Sequence, residues 1–203
     1  MRPSTGGCAF AEAPSCFCTE ARLFWRADWD ASVVSVEALP PPPHAPDAFD
    51  IRRFERWATI LRHDGGEEAL LLSDGVHHLQ LDVIAGSLLG GPVRLHYEIS
   101  GFRHVEAQIL TLRRLLLLYR LGRFPSGLYP PERRARRWAM ALRAYDGMTA
   151  GASHRDIAEV LFGVQTVRDD WCGRSEYLRL RVQRLLHVAH AMVEGGYRDL
   201  LKR

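Results

Sequence analysis

The sequence predicts an α+β chain, a β-rich N-terminal domain followed by an all-helical, helix-turn-helix-like domain. Three observations predict it. Between residues 50 and 101, apolar and polar side chains alternate with the period of two that suits half-buried strands. Between residues 102 and 203, apolar side chains recur at three and four, the spacing of amphipathic helices. Residues 151–167, GASHRDIAEVLFGVQTV, carry the start and stop signals of two short helices around one glycine. The expected sections are an irregular Pro-rich segment 1–47, a β-rich domain 48–101 and a helical domain 102–203.

The Pro-rich segment ends in PPPPHAP, a polyproline II stretch with no place in a sheet or helix interior. Upstream, Phe24, Trp25 and Trp29 of ARLFWRADWD are suited to anchoring it on a neighbouring domain, and Val33–Val36 reads as a short strand. In the β-rich section WATILRH alternates, EEALLLS is a short apolar run, and GVHHLQLDVI and PVRLHYEIS alternate again. HDGG and SDG are hairpin signals, because Asp-Gly readily takes the positive φ of tight turns. About four antiparallel strands are expected.

The helical section opens with VEAQILTLRRLLLLYRLG, where Val105, Ile109, Leu112, Leu116 and Tyr119 form an apolar stripe thickened by Leu115 and Leu118. FPSGLYPP breaks it. A second helix follows, with Trp138, Leu142 and Tyr145 as its buried stripe and Arg133, Arg134, Arg136 and Arg137 crowding its start. Arginine there opposes the helix macrodipole, a penalty that a phosphate contact would explain. Next, Ser153 and Asp156 form a capping-box-like pair, Ile157, Ala158 and Leu161 share one face, and Gly163 ends the helix. Thr166 and Asp169 read as a second such pair, and Ser175 caps a long last helix that ends at Gly195-Gly196.

Composition excludes several functions. In a chain of 203 residues, 47% hydrophobic and 25% charged, no apolar run approaches the ~20 residues that span a bilayer. The N-terminal MRPSTGGCAF lacks the apolar core of a secretory signal, so a cytoplasmic protein is expected. Cys8, Cys16, Cys18 and Cys172 lack zinc-ligand spacing, His77 and His78 fall on opposite faces of a strand, and His187 and His190 belong to a solvated helix face. With no nucleophile triad, paired-carboxylate motif or phosphate-binding glycine loop, no enzyme, metal or cofactor is expected.

Charge points elsewhere. Residues 1–122 hold 12 Lys and Arg against 15 Asp and Glu, whereas residues 123–203 hold 15 against 9. A basic section around a helix-turn-helix favours a polyanionic partner, double-stranded DNA. Two placements of the reading helix are open. In one, Thr166–Cys172 is a short reading helix with Gln165 and Arg168 at the bases. In the other, preferred for its length and its arginines, the helix from Ser175 enters the groove with Arg174, Ser175, Arg179 and Arg181 near the bases. His154 and Arg155, at a helix N-terminus, together with Arg133 and Arg137, are the expected phosphate contacts.

GASHRDIAEVLFG, then Trp171, then LRLRVQRLLHVAHAMVEGGYRDLL, resembles a proteobacterial family of transcriptional-regulator domains. That family is known as the DNA-binding domain of type VI secretion transcription factors, and in other members as regulating transfer of conjugative elements. RARRWAMALRAYDG resembles the segment that precedes the motif. The resemblance implies a DNA-binding helix-turn-helix variant in a protein that activates transcription or restrains an activator by binding it. Expected partners are therefore DNA, RNA polymerase or another transcriptional regulator, and a second copy of the chain, with no membrane association. The competing expectation is a protein-interaction module that binds another regulator through the apolar helix 105–121.

Overall fold

The computed structural model describes residues 8–10, 16, 21–43, 45–170 and 176–202. It divides into two compact units, residues 1–130 with 198–203, and residues 131–197. A strand from the Pro-rich segment joins the main sheet, and the first long helix packs on that sheet.

A two-stranded ribbon, β1 (Cys8–Phe10) and β2 (Leu23–Trp25), precedes the main sheet. The sheet itself comprises β3 (Val34–Leu39), β4 (Ala58–Arg62), β5 (Glu68–Ser73), β6 (His78–Ala85) and β7 (Arg94–Glu98). Its spatial order is β4-β5-β6-β3-β7. Purely antiparallel pairing was expected, but β3 runs parallel to β6, with Val36 opposite Val83. A parallel pair needs a long crossover, and here the β4–β5 hairpin supplies it. Both Asp-Gly signals make turns: Gly66 (φ 89°) closes β4–β5, and the Asp74 carboxylate accepts from Val76 N (3.0 Å) and His77 N (2.7 Å) before β6.

β5 is buried on both faces, which is why EEALLLS does not alternate. Leu70 and Leu72 join the main core, whereas Ala69 and Leu71 pack with Phe24. On that second face Gln80 clasps the ribbon: its Oε1 accepts from Trp25 N (2.8 Å), and its Nε2 donates to Trp25 O (2.7 Å). Buried Glu68 accepts from Ser87 Oγ (2.7 Å) and Leu88 N (2.9 Å), fixing the turn after β6. That turn needs Gly86, at φ 81°, because a Cβ there would run into the Ala38 carbonyl.

α1 (Val105–Leu121) covers the main core, ending at left-handed Gly122. Its buried residues are Thr111, Leu115 and Leu118, with Leu112 and Tyr119 half-buried, while Ile109 and Leu116 of the expected stripe are exposed. The buried face is centred on Leu115 and Leu118. Thr111 turns inward and donates its hydroxyl to the Ser32 carbonyl (2.7 Å).

The second unit contains α2 (Ala135–Thr149), α3 (His154–Phe162), α4 (Val164–Asp170) and α5 (Tyr177–Ala191), followed by a π-helical turn, Met192–Gly196. Of the expected α2 stripe, half-buried Tyr145 packs on the core, but the fully buried residues of α2 are Ala141 and Ala144, and Leu142 is 39% exposed. Two alanines let α5 cross α2 closely, and α5 buries Leu178, Val182, Leu185, Leu186 and Ala189 in the same core. The capping box of α3 forms as expected, with Ser153 Oγ accepting from Asp156 N (3.2 Å) and Asp156 Oδ2 from Ser153 N (2.9 Å). The second expected pair does not form. Gly163 (φ 95°) turns the chain directly into α4, so Thr166 is interior to that helix and Asp169 accepts from the Gln165 amide instead. Glu176 precedes α5 as its N-cap; Ser175, the expected cap, lies outside the described residues.

α6 (Arg198–Leu201) belongs to the first unit. Leu201 O accepts from Ala31 N (3.0 Å), and the Arg198 guanidinium stacks over Trp29 (4.2 Å).

Candidate nucleic-acid interface

Two features of the 131–197 unit bear on a polyanionic partner. The first is the α3–α4 pair, whose helices are separated by Gly163 alone. α4 buries Val167 and exposes Gln165, Thr166, Arg168 and Asp169. Gln165 Nε2 donates to both Asp169 oxygens (3.1 and 3.3 Å), one turn along the same helix. At the start of α3, His154 is half-buried and Arg155 pairs with Glu159 (3.2 Å). The Asp156 carboxyl is held below the usual carboxylate range, first by the Ser153 hydroxyl and then by the Ser153 backbone N–H.

The second feature is a groove of about 890 Å³ between α2 and α5, reaching the end of α3. Arg133, Arg136, Arg137 and Arg143 line it from the α2 side, and Arg181 and Arg184 from α5. Its apolar floor includes Met140, Leu161, Phe162 and Leu185. The Arg181 guanidinium lies over the Phe162 ring at 4.3 Å, which fixes one charge in the groove before any ligand arrives. No acidic residue lines the groove, and among the described residues none of the six arginines has a carboxylate within ion-pair distance. The first turn of α2 contains no acid and the helix dipole does not offset this charge; just before it, the Glu132 carboxylate accepts from Arg134 N (2.9 Å).

The expected site residues are thus distributed unevenly. Arg133, Arg137 and Arg181 share the groove, and Gln165 and Arg168 share α4. Arg179 lies outside the groove, 3.9 Å from Glu176, and Arg174 and Ser175 fall outside the described residues. Arg143 and Arg184 are groove members that sequence reasoning did not select as contacts, whereas Arg136 belongs to the arginine cluster already read as a phosphate contact. The available signal was spacing: seven residues between Arg136 and Arg143 is two helical turns, and three between Arg181 and Arg184 is just under one.

An all-helical unit with an unneutralised cationic groove has the features of a polyanion-binding domain. Residues 102–202 match the domain family described as T6SS, Transcription factor, DNA binding domain. The matched section takes in α1 as well as the whole 131–197 unit. A comparison with curated proteins gave no match. Among the described residues, no helix is long and apolar enough to cross a membrane.

Proposed function

We propose that the chain is a sequence-specific regulator of transcription, an activator of secretion or mobile-element genes that acts on double-stranded DNA in the cytoplasm and needs no cofactor. The observation that carries this reading is the α3–Gly163–α4 pair inside a section that matches a family of transcription-factor DNA-binding domains. In this reading α3 is the supporting helix and α4 the reading helix of a helix-turn-helix. Gln165 has the amide that pairs with adenine N6 and N7, and Arg168 the fork that pairs with guanine O6 and N7. His154 and Arg155 lie at the N-terminus of α3, where the helix dipole favours phosphate. Arg179, in the first turn of α5, is a further candidate contact. α5 is the weaker candidate for reading bases, since five of its apolar residues are committed to the core and two of its arginines line the α2 groove.

The test is binding of the purified chain to labelled fragments from its own gene neighbourhood, at two salt concentrations with mixed-sequence competitor. One competitor-resistant fragment supports the reading, and loss of every complex to competitor sinks it. A second reading, a module that binds RNA polymerase, another regulator or its own copy, is favoured by apolar exposure around α1. Ile109 and Leu116 are 47% and 46% exposed, and Phe102 is 97% exposed. Co-elution with a regulator in the absence of DNA would favour it.

A further inference from the structure

We infer that the groove between α2 and α5 is the seat of the sugar-phosphate backbone of duplex DNA, with Arg181 as its preorganised centre. This rests on the reading of the 131–197 unit as DNA-binding, and it gives α5 a role in holding the duplex rather than in reading bases.

Three physical observations converge. Six guanidinium groups face one concavity without a carboxylate among the described residues, a charge arrangement that a polyanion would neutralise. Arg136 and Arg143 are two turns apart on α2, so they span roughly 10 Å along its axis at 1.5 Å per residue, more than one phosphate can occupy. Arg181 is held against Phe162, so its guanidinium loses less freedom on binding than a solvated arginine would. Nothing in the groove reads bases. Its polar members are all arginines, and its floor is aliphatic apart from Met140 and Phe162. Contacts of this kind set affinity and register while leaving sequence preference to other residues.

The experiment measures the affinity of the full chain for its selected fragment and for mixed-sequence DNA across a salt series. Wild type is compared with Arg136→Gln, Arg143→Gln, Arg181→Gln and Phe162→Leu. Circular dichroism melts of each variant report folding, and Arg143→Lys tests whether charge alone rescues. Each Arg→Gln variant is expected to weaken both DNAs by the same factor and to flatten the salt slope by about 0.9. Between about 50 and about 200 mM salt, a variant then loses about 3.5-fold less affinity than wild type for each contact removed. Phe162→Leu keeps the charge, so it should weaken binding with the slope unchanged. Arg168→Ala on α4 should instead reduce the preference for the selected fragment.

Groove variants that bind the wild-type fragment with unchanged affinity and slope overturn the groove assignment and leave the DNA reading intact. A wild-type chain that binds no DNA at low salt overturns both. ATP is the competing probe: ATP binding that the groove variants lose, while their DNA affinity and salt slope stay at the wild-type values, makes the groove a nucleotide site and overturns the duplex assignment.

Discussion

Both carboxylate oxygens of Glu68 are committed to the turn after β6, one to the Ser87 hydroxyl and one to the Leu88 N–H. Removing them leaves a buried N–H unsatisfied, so Glu68→Ala should cost about 3 kcal/mol, read as a lower urea midpoint with unchanged slope. In the sequence this residue was only the polar start of an apolar run; its role depends on Ser87, nineteen positions away, which no spacing rule reaches. Gln80 was hidden in the same way, since its partner is the backbone of Trp25. The α3 cap was legible because both of its members lie within one turn. It also carries a pH dependence. The Asp156 carboxyl is depressed in the folded chain, so its contribution is present above the ordinary carboxylate pKa and is lost as pH falls through the lower folded value. Melting of α3 below about pH 4 should therefore be steeper in wild type than in Ser153→Ala, which itself costs about 1 kcal/mol near neutrality.

Gly163 separates α3 from α4 at φ 95°, a conformation in which a side chain is strained. Gly163→Ala should lower stability by roughly 1–2 kcal/mol and lower DNA affinity further, by turning α4 away from its working direction. Equal losses in the melt and in the binding assay would remove α4 from the site. The close crossing of α2 and α5 depends on Ala141 and Ala144, both with no exposed surface. Ala144→Leu should cost about 1–3 kcal/mol by overpacking, whereas the same change at exposed Ala139 should be nearly silent. Periodicity located all of the longer helices, but it did not identify the α2 face. Trp138 and Leu142 looked like core by size, yet a close helix crossing selects small residues. The arginine groove was invisible for a related reason: it unites residues some forty positions apart, and only the crossing brings them to one concavity.

At the scale of the whole molecule, the acidic and basic counts fall on different sections, an asymmetry evident in the sequence alone. The division into units was less evident, because the parallel β3–β6 pair and the docking of α1 are long-range consequences of topology. Ending the chain at Tyr197 would remove the Ala31–Leu201 hydrogen bond and the Arg198–Trp29 stack. The expected result is faster hydrogen exchange at Ala31 and a loss of about 1–2 kcal/mol from the β unit, with exchange in α2 and α5 unchanged. The placement of α6 also makes residues 131–197 an insertion within a host domain, entered after Pro130 and left after Tyr197. A single proteolytic nick at either junction would leave the inserted piece joined to its host through the other strand of the connection. A cut after Pro130 leaves the DNA-binding helices held to the β unit only through the docked α6, so a protease titration should pass through a nicked species, still associated through α6, before free fragments appear.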